Sequence, residues 1–160
     1  MGLPAAGKTS CFLKIFGVFS TGTGLAPFLS ILRQESVWEK WPTIVLVHSV
    51  RLAEDLTYTQ LIQKIKDDSS LGRRKRKKPG LYSHRHTRSN TVLIQKIPDL
   101  ISSGDLAETA GVKFDSSLSS VLLCGNPAMI KEVRALLKPM GFQAPRRGEP
   151  GNLIAENLWQ

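Results

Sequence analysis

A chain of 160 residues with 41% apolar composition is long enough to bury one substantial core and too short for two full domains. No run of eighteen uncharged apolar residues occurs, because the best stretch, Cys11 to Phe28, is broken by Lys14 and by the turn formers Thr21 to Gly24, so a soluble chain without a membrane span is predicted. The net charge of +9 is local: eight cations and no acidic residue lie between Arg73 and Arg88, the remainder sums to +1, and a domain that is basic throughout is excluded.

In chain order, the Phe, Ile and Val of Cys11 to Ser20 run into Thr21-Gly22-Thr23-Gly24, a buried strand ending in a glycine turn. Phe28, Leu29, Ile31 and Leu32 then recur at helical spacing and predict a helix over Ala26 to Gln34. Thr43 to His48 is an unbroken apolar run rich in β-branched residues, the pattern of a central parallel strand covered on both faces. Leu56, Leu61, Ile62 and Ile65 predict a second helix over Asp55 to Lys66. From Asp67 to Asn90 the Ser-Ser pair, Pro79-Gly80 and the basic run predict a long loop or divergent insert. A short helix is expected over Ile97 to Ile101 and an apolar strand at Ser120 to Cys124. Gly125-Asn126-Pro127 then opens another helix, with Asn126 placed as N-cap, Pro127 at the first helical position and Gly141 at its close. Asn152 to Trp159 reads as a final strand or extended tail. Strands alternating with helices predict an α/β fold, a doubly wound and mostly parallel sheet with helices on both faces.

Cys11 and Cys124 fit no metal spacing and form no disulfide framework, which points to a reducing compartment, the cytoplasm or an organelle matrix. Lys8 precedes a short apolar run, but no small-residue cleavage site follows, so a secretory leader is not supported.

Two glycine-rich segments compete as phosphate cradles. Gly2 to Thr9 satisfies the P-loop pattern by letter, yet only Met1 precedes it and a strand-like segment follows, whereas a P-loop needs a strand before it and a helix after it. Ser20 to Phe28 has the right context, a strand before and a helix after, with two glycines that let a diphosphate approach the backbone.

Four segments, STGTGLAPFLSIL, VLVHSVR, LLCGNPAMI and RRGEPGNLIAENLW, stand in the order and at about the spacing of bacterial-type ferredoxin-NADP reductases, which the chain resembles from Ser20 to Trp159. The resemblance implies an NADP-binding domain over 20–160 with the divergent basic insert at 67–90, preceded by a divergent segment and first strand over 1–19. It implies hydride transfer between NADP(H) and FAD in the complete enzyme, with a ferredoxin or flavodoxin as the acidic electron partner. Thr21, Gly22, Thr23, Gly24 and Pro27 would line the approach of the diphosphate and nicotinamide, and Arg51, Arg88 and Lys96 would meet the 2'-phosphate. Cys124 and Gly125 would lie where nicotinamide meets flavin, and the tail ending in Trp159 would pack along the flavin.

The family's FAD-binding half has no counterpart in this sequence. Gly80-Leu81-Tyr82-Ser83 lacks the arginine of a flavin motif, so the chain alone is not expected to hold FAD, and a truncated, non-catalytic nucleotide-binding fragment is the alternative. If the basic insert is a genuine feature, it suits an acidic redox protein better than nucleic acid, because Tyr82 is the one aromatic near it that could stack on a base.

Overall fold

The computed structural model describes residues 14–51, 53–68, 80–86 and 96–157. Five strands, β1 (Ile15–Thr21), β2 (Thr43–Ser49), β3 (Gly80–His86), β4 (Ser119–Gly125) and β5 (Leu153–Asn157), form one sheet in the order β3-β2-β1-β4-β5. Every neighbouring pair is parallel. Parallel neighbours need crossovers, and helices supply them: α1 (Ala26–Leu32) and α2 (Glu35–Lys40) between β1 and β2, α3 (Thr59–Asp67) before β3, α4 (Ile97–Ser103) and α5 (Asp105–Ala110) before β4, and α6 (Pro127–Leu137) before β5.

The period-2 alternation of the strands divides the core. Ile15, Phe19, Val45, Val47, Val121 and Leu123 point to one face and pack with Ile97 and Leu100 of α4, Leu106 of α5 and Ile130 and Val133 of α6. Val18, Ile44, Leu46 and Cys124 point to the other, under Phe28, Leu29 and Leu32 of α1, Trp38 of α2 and Ile62 and Ile65 of α3. The first six residues of β2 are all buried, which explains why its sequence shows no alternation. At the sheet edge β5 buries Leu153 and leaves Ile154 half exposed, so α1 to α3 do not cover that end.

Several boundaries differ from the sequence expectation. The first helix ends at Leu32 and a second begins at Glu35, because the chain turns at Arg33-Gln34 and the Trp38 indole N–H donates to the Leu32 carbonyl at 2.7 Å, folding α2 back over the end of α1. The helix expected over Asp55 to Lys66 starts only at Thr59, and Asp55 instead ends a 3-10 turn, Ala53–Asp55. The loop expected from Asp67 to Asn90 is interrupted by β3, whose backbone pairs with β2 over Thr43 to Ser49. Its sequence, GLYSHRH, carries no apolar run, and pairing across β2 rather than composition makes it a strand. A 3-10 turn, Lys138–Met140, separates α6 from Gly141, which takes the left-handed conformation at φ 89°. The P-loop pattern at Gly2 to Thr9, the basic run Arg73 to Lys78, Arg88 and Trp159 all lie outside the described residues.

Candidate functional site

All five strands run the same way, so β1, β2 and β4 end side by side at one edge. The sheet grows outward from β1 in both directions, toward β2 and β3 on one side and β4 and β5 on the other. The crossovers diverge there, and in such sheets the usual ligand position lies beyond the carboxyl ends of the strands at that point.

The chain leaves β1 through a 3-10 turn, Gly22–Leu25, that leads directly into α1, with Pro27 in the first turn of that helix. Gly22 takes φ 53°, and nothing lies within 4 Å of where its Cβ would be, so the outer side of the turn is open. Gly24 has the opposite surroundings: a Cβ there would stand 2.6 Å from the Cys124 carbonyl oxygen, so the turn lies directly against the end of β4. Gly125 mirrors this contact, with φ 130° and a Cβ position that would overlap Thr21. The Thr21 hydroxyl accepts the Asn126 backbone N–H at 2.7 Å, and the Asn126 side chain accepts the Ala128 N–H at 2.8 Å as the N-cap of α6. The two loops are thereby stitched together, leaving Gly22 and Thr23 exposed with the leading amides of the helical segment around them.

One residue below this edge, Ser20, His48 and Cys124 occupy adjacent register positions on β1, β2 and β4. Ser20 Oγ and His48 Nδ1 share a hydrogen bond of 3.1 Å, and both residues are buried. Burial pulls the His48 imidazole from 6.5 down to about 4, so the ring is neutral near pH 7. The Cys124 thiol, 0% exposed, packs in the cluster under α1. Burial pushes its pKa up, and the nearby Glu156 charge adds to the effect. In this structure the Cys124 side chain is buried among apolar neighbours, and the exposed atoms at this point belong to Asn126.

Thr21, Gly22, Thr23, Gly24, Pro27 and Gly125 thus lie at the carboxyl ends of β1 and β4 and the start of α1. Arg51 is exposed two residues past β2, the strand beside β1, and Lys96 is exposed at the entrance to α4, where its backbone N–H donates to Asp99 at 3.3 Å. Sequence reasoning read Asn126 as a cap and missed it as the joint to Thr21; the two are 105 residues apart, and no local pattern signals such a contact. It also missed the Ser20 and His48 pair, which inside an apolar run reads as core.

The profile described as "Oxidoreductase NAD-binding domain" matches residues 18–135. The flavodoxin/ferredoxin--NADP reductase of Buchnera aphidicola subsp. Baizongia pistaciae is 34% identical over 147 residues, which cover 91% of this chain and 57% of that protein. The ferredoxin--NADP reductase of Pseudomonas aeruginosa is 33% identical over 144 residues, 89% of this chain and 56% of that one. A crystal structure of a ferredoxin NADP+ reductase from Neisseria gonorrhoeae with bound FAD and NADP is similar at a TM-score of 0.76 and 26% identity, over 91% of this chain and 56% of that one. The cytochrome b5 reductase domain of Ulva prolifera nitrate reductase, at TM-score 0.61 and 17% identity, shares the fold. The chain spans a little over half the length of the curated relatives it matches.

Proposed function

Because the chain belongs to the oxidoreductase NAD-binding domain family, we propose that NADP(H) binds on the glycine turn beyond the ends of β1 and β4, and that in a complete ferredoxin/flavodoxin reductase this domain presents the nicotinamide to FAD. The observation that carries the reading is the mutual packing of Gly24 and Gly125, which pins the Thr21–Leu25 turn against β4 and leaves Gly22 open to an incoming group. The residues present fit the cofactor: Gly22, Thr23 and Gly24 offer backbone amides to the diphosphate, Thr21 fixes the turn, and Pro27 lies where the chain enters α1. Cys124 and Gly125 would border the nicotinamide at the end of β4, with Asn126 beside them and the Cys124 thiol buried under the turn.

NADPH, when bound, supplies a hydride, and this chain's residues orient its donor. Arg51, Arg88 and Lys96 would give preference to the 2'-phosphate, the arginines through paired N–H groups and the lysine as a point charge. The Trp159 tail would close over the flavin side. The reading places the protein in the cytoplasm or an organelle matrix, with a ferredoxin or flavodoxin as electron partner. Among the described residues no helix is long and apolar enough to cross a membrane.

The test is calorimetric titration of the chain with NADP+ and NAD+. Tighter binding of NADP+ that falls about tenfold or more in Arg51→Ala is expected, since a hydrogen bond to a charged group contributes about 1.5–3 kcal/mol. Equal affinity for the two nucleotides would refute the 2'-phosphate assignment. NADPH-driven reduction of ferricyanide by the chain is expected only when a flavin domain is supplied.

A further inference from the structure

Among the described residues four polar side chains are buried, and two of them start strands: Thr43 opens β2 and Ser119 opens β4. The other two, Ser20 and His48, stand at the opposite end of the sheet, opposite each other in the last register position but one between β1 and β2. By the twofold period of their strands they continue the apolar line of Val18 and Leu46, and so face the side covered by α1 to α3. Two apolar side chains would fill that space without desolvating polar groups, so the pair is not explained by burial.

What the pair adds is direction. Ser20 Oγ–H donates to the Val47 carbonyl at 3.4 Å, which leaves Oγ to accept Nδ1–H of the neutral imidazole at 3.1 Å. No buried side-chain nitrogen or oxygen among the described residues lacks a partner, and a satisfied polar network of this kind holds one geometry. The glycine turn lies on it. Gly22–Leu25 packs against the ends of β1, β2 and β4 and sends Leu25 into the cluster on the same side of the sheet. Thr21 ties the start of the turn to β4 through the Asn126 N–H, and Ser20, one residue earlier, ties the same strand end to β2. The position of the Gly22 to Gly24 backbone therefore depends on both ties.

We propose that His48 is a positioning residue for the dinucleotide: through Ser20 it fixes the seat of the glycine turn, and with it the affinity of the turn's backbone amides for the diphosphate. The inference rests on the dinucleotide reading above.

Ser20→Ala, His48→Leu, the double variant and His48→Asn test it against wild type, each titrated calorimetrically with NADP+ at pH 7, well below the lowest melting temperature of the set. Ser20→Ala and His48→Leu are each expected to bind about threefold to tenfold more weakly, as the loss of one directional hydrogen bond does. The double variant is expected to lose no more than either single one, because the two residues act as a unit. Asparagine sets a polar atom where Nδ1 stands, so His48→Asn is expected to recover most of the affinity lost in His48→Leu, whereas a role in packing alone would favour leucine. Wild-type affinity in folded Ser20→Ala overturns the proposal while leaving the dinucleotide site standing, as do additive losses in the double variant or no recovery with asparagine. If His48→Leu does not fold, Ser20→Ala, which removes a single oxygen, decides alone. Absence of NADP+ binding to the wild-type chain overturns both readings.

Discussion

Gly125→Ala asks the most of the packing between β1 and β4. The substitution places a Cβ on a residue at φ 130°, a region in effect reserved for glycine, and aims it at Thr21, with the Thr21 carbonyl oxygen and amide nitrogen only 2.8 and 2.9 Å away. Backbone strain of this kind costs about 1–3 kcal/mol. Displacing Thr21 also breaks its hydrogen bond with the Asn126 N–H, worth about 0.5–1.5 kcal/mol and toward the low end here because the bond is exposed. The sum, about 2–4 kcal/mol, corresponds to a melting temperature lower by roughly 5–15 °C in a domain of this size. Gly148→Ala is the control, since Gly148 also has positive φ, at 84°, but nothing within 4 Å of its Cβ position. Thermal unfolding followed by circular dichroism gives both numbers. If the two variants melt within about 2 °C of each other, the β1 to β4 contact does not carry the stability assigned to it here.

His48 gives a pH dependence with a definite sign. The unfolded ring takes a proton near pH 6.5 and the folded ring not until about pH 4, so stability is lost as pH falls through that window, by on the order of 3 kcal/mol at most, and is unaffected above it. Urea titrations at pH 7 and pH 4.5 should show a smaller acid loss in His48→Gln than in wild type; equal losses would contradict the assignment. The buried Cys124 thiol, its pKa raised first by burial and then by the Glu156 charge, should react with a disulfide reagent only when the fold opens. In a Cys11→Ser background, labelling of the native chain at the rate of the unfolded one would show that the thiol is open. Asn126→Ala removes the N-cap of α6 and should destabilise by about 1 kcal/mol, measured in the same urea titration, with no change being the contrary result.

Much of the architecture was legible because its signals are local. The apolar run Thr43 to His48 could only be a strand covered on both faces, and Asn126-Pro127 marked the start of α6 by cap chemistry alone. The strand-turn-helix setting of Thr21 to Gly24 was legible for the same reason. What escaped depends on partners distant in sequence. Strand β3 owes its state to pairing with β2, and its own residues neither alternate nor form an apolar run. Helix α2 lies beyond the helix expected over Ala26 to Gln34, and its placement depends on Trp38 reaching back to Leu32. The burial of Cys124 was not legible either, because the side of the sheet its thiol faces depends on the twofold period of β4.

The central claim is that a dinucleotide lies on the Thr21–Leu25 turn where it meets the end of β4. Backbone amide shifts of the isotopically labelled chain, followed as NADP+ is added, test it most directly. Saturable shifts concentrated at Thr21 to Leu25, Gly125 and Asn126 are the expected result. Shifts concentrated instead at Gly2 to Thr9, with the β1 turn unmoved, would contradict the account and return the phosphate cradle to the segment that carries the P-loop letters.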